Sequence, residues 1–108
     1  MQSHNKLVRD FIPRIILAEG KQCFWNTIEN KEDYRRQLRM KLLEETKELI
    51  NAKSHKNIRE ELADIYELIL TIGKEYDISL DKINLERINK KIEKGGFENG
   101  IFLIACSQ

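Results

Sequence analysis

The chain has 108 residues, of which 34% are charged, yet 19 basic and 18 acidic side chains leave a net charge of only +1. A nucleic-acid-binding domain is usually strongly basic, so this balance argues against binding to a phosphate backbone. The chain is 41% hydrophobic but has no apolar run near the roughly 18 residues of a membrane-spanning helix. These properties predict one globular domain over residues 1–108 that binds neither nucleic acid nor membrane.

The amino-terminal segment and the cysteines predict a cytoplasmic location. The opening sequence, MQSHNKLVRD, is polar and charged where a secretory signal would be apolar. Cys23 and Cys106 lie far apart in the sequence, and neither has a nearby Cys or His that would favour metal binding. We therefore expect two free thiols and assign them no chemistry.

The first part of the chain predicts a short helix and an extended segment. Asp10 can cap a helix whose first turn accepts Pro13, and Gly20 can end it. Residues 22–28 mix aromatic and β-branched side chains, and residues 101–106 have the same character. A minor β-ribbon formed by these two segments is therefore expected.

Three longer helices follow, and they make the predicted fold all-α, with a helical hairpin and a third helix. The first is expected over about 32–52, the second from 57 to an end within 73–77, and the third from a cap at 79 to a stop at 95–96. Asn57 and Glu60 resemble a capping box, Ser79 can cap the last helix, and Gly95 can end it. Each helix has an apolar stripe, formed by Tyr34, Leu38, Leu42 and Leu49, by Ile58, Leu62, Ile65, Ile69 and Ile72, and by Leu85, Ile88 and Ile92.

Several carboxylates lie on or beside the apolar stripes of the hairpin. Because a helix turns by about 100° per residue, Glu45 falls in the middle of the first stripe and Glu48 at its edge. On the second helix, Glu61 borders the stripe and Asp64 lies next to it. An unpaired carboxylate is costly to bury, so these acids need a lysine or a metal ion as partner.

The spacing predicts that these four carboxylates meet. Helices joined by a short turn run antiparallel, so residues equidistant from the turn lie at the same height. Glu45 and Asp64 are equidistant from a turn at 54–55, and so are Glu48 and Glu61, one level about 4.5 Å away. Facing carboxylates repel one another unless a cation lies between them, and oxygen ligands suit Mg²⁺ or Mn²⁺. Magnesium in proteins commonly also binds substrate phosphates, which makes phosphate chemistry the leading hypothesis.

A solvated acidic surface is the alternative interpretation of the same residues. Acid-rich helix faces are common, and pairs such as Lys41 with Glu45 stabilise them without a metal ion. The position of Glu45 on the core stripe and the matched heights of both acid pairs favour the metal site.

The same acids resemble a family motif. The sequence from Glu44 to Glu48, EETKE, followed by ELAD from Glu61 to Asp64, resembles the EExxE and ExxD motifs of MazG-like all-α nucleoside triphosphate pyrophosphohydrolases. The segments KLVRDFIPRII and KKIEKGGFENGIFL are similar to the two ends of a phosphoribosyl-ATP pyrophosphohydrolase-like branch. The resemblance implies a MazG-like bundle that cleaves between the α- and β-phosphates, giving a nucleoside monophosphate and pyrophosphate.

The resemblance also implies a role for each motif acid. It implies that Glu45, Glu48, Glu61 and Asp64 bind Mg²⁺, with Mn²⁺ as a substitute, in agreement with the spacing argument. It implies a catalytic role for Glu44, either as support for the metal ligands or as the base that orients water.

Basic residues are expected to complete a phosphate site. The candidates are Lys91 and Lys94 at the end of the third long helix, with Lys6 and Arg9 in the opening segment. Lysines in a last helical turn also favour the helix dipole, which is the other interpretation of the first pair. The Lys-aromatic-x-x-Arg-aromatic signature common in the family is replaced here by KIEKG.

Two further functions are open at the level of sequence. One is phosphoribosyl-ATP hydrolysis in histidine biosynthesis, and the other is a non-enzymatic helical module whose acidic face binds a basic partner. Three amphipathic helices cover the outer faces of the hairpin only in part, and the family is typically dimeric or tetrameric. We therefore expect a homodimer with a small nucleotide as substrate.

Overall fold

A computed structural model describes residues 2–108. Within this range the chain is all-helical, which confirms the predicted fold class. The helices are α1 (Ile12–Ala18), α2 (Lys31–Asn51), α3 (His55–Glu75) and α4 (Leu80–Lys94). None of these helices is both long enough and apolar enough to cross a membrane.

The expected β-ribbon is wrong, because the described residues contain no strand. Residues 22–28 form an irregular link between α1 and α2, and residues 101–106 form an irregular tail after α4. Both segments have the composition of strands, but an isolated two-stranded ribbon without a further layer is at best marginally stable. In the tail, Phe102 is 88% and Ile104 90% exposed, so nothing provides that layer.

Helix α1 begins without a side-chain cap and is followed by a turn that ends at Gly20. The residue at its N-cap is Phe11, whose side chain makes no capping hydrogen bond, so the expected cap by Asp10 is wrong: the helix starts one residue later. Pro13 lies in the first turn, as expected. Gly20 ends the turn after α1 with φ of +79°, and its N–H donates to the carbonyl of Leu17 at 3.0 Å.

Side-chain caps fix the starts of the three long helices. The Oδ1 of Asn30 accepts from the backbone N–H of Asp33 at 3.0 Å and begins α2. The Oγ of Ser54 accepts from the N–H of Asn57 at 3.0 Å, so α3 begins earlier than the capping box predicted. Ser79 caps α4 as expected. The turn between α2 and α3 is therefore short, and the two helices run antiparallel.

The α2–α3 hairpin forms the body of the molecule. Leu38 of α2, 2% exposed, is the one apolar side chain that is fully buried among the described residues. At the end of the hairpin far from the turn, the Arg35 guanidinium stacks on Tyr76 at 4.4 Å and donates to the carbonyl of Glu75 at 3.2 Å. These contacts hold the end of α3 against α2.

Helix α4 leaves the hairpin through a tight turn at Gly73. The N–H of Ile78 donates to the Gly73 carbonyl at 2.8 Å, and a Cβ on Gly73 would lie 2.9 Å from Ile83 Cδ1. Beyond this contact the apolar stripe of α4 is uncovered, since Leu85 is 59% and Ile92 80% exposed. The predicted stripe of α4 exists, but a single chain does not bury it.

Candidate metal centre

Three of the four predicted metal ligands converge between α2 and α3. Glu45, Glu61 and Asp64 each offer a carboxylate oxygen, and these three oxygens lie within 4.8 Å of one another. Glu45 is only 6% exposed, and the other two residues are half-buried. The antiparallel hairpin therefore brings Glu45 close to Asp64, the partner that the spacing gave it, and also to Glu61, which the spacing paired with Glu48.

Glu48 does not join this cluster and is exposed. It lies three residues after Glu45, which rotates it by about 60° around α2, away from the line of contact with α3. It remains close enough for its charge to act on Glu61. The structure thus places Glu48 at the rim of the cluster, and its role as a metal ligand stays a prediction.

Two buried carboxylate oxygens at the centre lack a hydrogen-bond partner among the described residues. They are Oε2 of Glu45 and Oε2 of Glu61. The close approach of the Glu45 carboxyl group favours the protonated form of Glu61, and partial burial and the charges of Glu45, Glu48 and Asp64 add to the effect. Together these causes raise the pKa of Glu61 to about 7, so near neutral pH a proton on Glu61 offsets part of the negative charge.

Three basic side chains neutralise other parts of the cluster. Lys41 Nζ lies 3.5 Å from Glu45 Oε1 and 3.3 Å from Glu44 Oε1, and its side chain is 17% exposed. Lys6 Nζ lies 3.6 Å from Glu44 Oε1. Arg9 forms an ion pair with Asp64. Glu44 is therefore half-buried between two lysines, beside Glu45 on α2.

The shortest ion pair at the centre joins Arg9 to Asp64. The Arg9 Nη2 donates to Asp64 Oδ1 at 2.7 Å. This hydrogen bond raises the pKa of Arg9, although partial burial acts against it, so the guanidinium stays charged. Arg9, expected near a phosphate, thus lies beside Asp64, an acid that is expected to bind the metal. Lys6 lies beside Glu44, the acid that is expected to act in catalysis.

The donor set fits a hard divalent cation. Carboxylate oxygens are the ligands that Mg²⁺ and Mn²⁺ prefer, and Mg²⁺ usually keeps several positions for water or phosphate oxygens. Three converging carboxylates would occupy only part of such a sphere. The two oxygens without partners are the ones that a cation between α2 and α3 would satisfy.

Lys91 and Lys94 lie apart from this centre. Among the described residues, Lys91 Nζ has Glu98 as its partner, at 3.9 Å, and Lys94 lines a shallow cleft formed with the loop that follows α4. No ion pair of the described chain links either lysine to the acidic cluster. Helix α4 contacts α3 but not α2, so the structure does not bring these lysines to the acids within one chain.

Sequence reasoning gave less weight to Lys41 than the structure does. Its spacing of three and four residues from Glu44 and Glu45 signals two pairs on one helix face. The spacing alone does not show that Lys41 is largely shielded from water. The partner of Arg9 left no local signal, because Asp64 is 55 residues away.

Comparison with known proteins adds no relative of established function. No family model, no curated protein and no solved structure matches the chain. Support for a function therefore comes from the geometry of the centre and from the motif resemblance.

Proposed function

We propose that the protein is a Mg²⁺-dependent, MazG-like nucleoside triphosphate pyrophosphohydrolase. The supporting observation is the buried Glu45, with one oxygen lacking a partner, facing Glu61 and Asp64. A buried carboxylate needs a positive charge close by, and a bound cation would provide it. The same cation could also bind the phosphates of a substrate. The reaction proposed is hydrolysis of the α–β phosphoanhydride to a nucleoside monophosphate and pyrophosphate.

The acids of the hairpin would hold the ion. Glu45, Glu61 and Asp64 form the inner set, and Glu48 at the rim has a flexible side chain that can turn inward as a fourth ligand. A bound Mg²⁺ or Mn²⁺ would supply neutralisation of the phosphates and a water of lowered pKa. Loss of the proton from Glu61 would accompany binding, because a ligand carboxylate must be ionised.

Glu44 is proposed as the group that orients the attacking water. It lies next to the ligand Glu45, and Lys41 and Lys6 both contact its Oε1, which leaves the other oxygen for water. A fixed carboxylate beside the ligands can accept a hydrogen bond from water and receive its proton.

The basic residues divide into two groups in this proposal. Lys6 and Arg9 already lie at the centre and can contact phosphates from the side of the opening segment. Lys91 and Lys94 require the end of α4 to approach the centre, and a second copy of the chain can bring it there. The proposal therefore includes a homodimer and a cytoplasmic location, where nucleotides are available and the free Cys23 and Cys106 stay reduced.

An activity assay tests the proposal. Purified protein is incubated with Mg²⁺ or Mn²⁺ and a panel of canonical and modified nucleoside triphosphates, with phosphoribosyl-ATP included, and pyrophosphate release is measured. We expect Glu45→Gln and Asp64→Asn to lower turnover at least about 100-fold, because each removes a charged ligand. Glu60→Gln is the matched control, since Glu60 is an exposed α3 acid outside the cluster.

Turnover of phosphoribosyl-ATP alone would assign the enzyme to histidine biosynthesis. Absence of turnover on every compound, or full activity in both cluster variants, would contradict the proposed enzyme. Equal losses in all three variants would show that general acidity matters rather than the centre.

A further inference from the structure

The segment before α1 reaches across the hairpin to its acids. Arg9 binds Asp64 through Nη2 at 2.7 Å, and Lys6 lies 3.6 Å from Glu44. Leu7, between them, is half-buried and lines a cleft on α2. The segment is thus fixed at the metal centre by one apolar and two charged contacts, although it is not helical.

Arg9 and a metal ion would compete for the same group. Asp64 Oδ1 accepts the guanidinium hydrogen bond, and Asp64 is also one of the three converging carboxylates. A cation bound among these acids would repel the Arg9 charge and withdraw negative charge from the oxygen that it contacts. Both effects weaken the ion pair.

Arg9 is also the basic group that can leave most easily. Its side chain is 58% exposed, so it returns to water with little desolvation penalty. Lys41 is 17% exposed and packed on its own helix, so it stays with Glu44 and Glu45. Arg9 can therefore be displaced from its acidic partner, whereas Lys41 stays in place.

We infer that Arg9 is a displaceable internal counter-ion, which occupies Asp64 in the metal-free protein and is released when a divalent cation binds. The inference rests on the proposed metal centre. It couples metal loading to the opening segment, because release of Arg9 removes one of the three contacts that fix this segment and frees a guanidinium beside the site.

Metal affinity gives the first test. Isothermal titration with Mn²⁺ is done on the wild type, Arg9→Gln and Lys21→Gln, at constant ionic strength. We expect about fivefold tighter Mn²⁺ binding in Arg9→Gln, because the competing ion pair and its positive charge are gone. Lys21→Gln is the matched control: it removes one positive charge from the same part of the chain, and Lys21 pairs with Glu19.

Limited proteolysis of the unaltered protein gives the second test. Trypsin must accept the Arg9 side chain in its specificity pocket, so the ion pair with Asp64 slows cleavage by competing for the guanidinium. We expect Mn²⁺ to speed cleavage after Arg9 several-fold, with cleavage after Lys21 as the internal reference for trypsin activity. Mass spectrometry of the fragments identifies both sites.

The outcomes separate this inference from the proposed function. If the wild type binds no Mn²⁺ at millimolar concentration, the metal centre and the proposed function fail, and the counter-ion role fails with them. If the wild type binds Mn²⁺ but Arg9→Gln binds it equally or more weakly, Arg9 supports Asp64 instead, and only the counter-ion role is overturned. Unchanged cleavage after Arg9 would overturn it as well.

Discussion

At the scale of single residues, Glu45 is the unusual one. It is 6% exposed in a chain where many large apolar side chains, such as Leu62 at 52%, face solvent. A buried carboxylate is tolerated only with close compensation. Lys41 compensates one of its oxygens, and the other has no hydrogen-bond partner among the described residues. A divalent ion would supply the missing compensation.

The raised pKa of Glu61 predicts a pH dependence of stability in the metal-free protein. An acid whose pKa rises on folding, here from 4.5 to about 7, holds its proton more tightly in the folded state. Its contribution to the free energy of unfolding is complete below pH 4.5 and is lost as the pH rises through about 7. In the presence of chelator, we therefore expect Glu61 to lower Tm as the pH rises from 4.5 to about 7.

Thermal unfolding of three proteins isolates this contribution. Glu61→Gln imitates the protonated acid, so its Tm should vary less over the same pH window than that of the wild type. Glu60→Gln should keep the wild-type slope, since Glu60 is exposed and pairs only weakly with Lys56 at 3.9 Å. Identical slopes of Tm against pH in all three proteins would contradict the raised pKa of Glu61.

At the scale of elements, the short turn between α2 and α3 made part of the site predictable from the sequence. An antiparallel hairpin fixes heights from residue numbers alone, so the meeting of Glu45 with Asp64 was predictable. The rotation of each helix depends on packing, so the exposure of Glu48 was not. Residues 22–28 show the same limit, because strand propensity has no effect without a partner strand.

Gly73 predicts a stability effect at the junction of α3 and α4. A Cβ there would lie 2.9 Å from the carbonyl oxygen of Ile78 and 2.9 Å from Ile83 Cδ1. Gly73→Ala should therefore destabilise the fold by about 1–3 kcal/mol, despite the better helix propensity of alanine. Thermal unfolding by circular dichroism should show a Tm lower by several degrees.

Lys74→Ala is the control for this variant, because Lys74 is the next residue of α3 and is exposed. Its Tm should stay close to that of the wild type. A Tm of Gly73→Ala equal to or above the wild-type value would show that the α3–α4 turn opens without penalty.

At the scale of the whole molecule, the chain is too extended to bury its own apolar surface. Its radius of gyration is 18.1 Å, compared with about 13 Å for a compact domain of 100 residues. The exposed apolar side chains include Ile92 of α4 at 80% and the tail residues Phe102 and Ile104 at 88% and 90%. Exposed apolar surface on this scale indicates an interface, and a second copy is the economical partner.

A homodimer predicts twice the chain mass of 12.8 kDa in sedimentation equilibrium at micromolar concentration. Because the tail is among the most exposed apolar segments, Phe102→Asp should shift the equilibrium toward monomer. Asn99→Asp adds the same charge at a polar position three residues before Phe102, outside the apolar tail, and should leave the mass unchanged. A monomer of 12.8 kDa in the wild type would contradict the prediction.

The identity of the products tests the proposed reaction most directly. A nucleoside triphosphate that is turned over in the panel assay is incubated with the protein and Mg²⁺, and the reaction is followed by ³¹P NMR. We expect the nucleoside monophosphate and pyrophosphate resonances to grow in equal amounts, and chelator or Glu45→Gln to abolish their growth. Formation of nucleoside diphosphate and inorganic phosphate, or pyrophosphate release that persists in Glu45→Gln, would contradict a pyrophosphohydrolase centred on Glu45, Glu61 and Asp64.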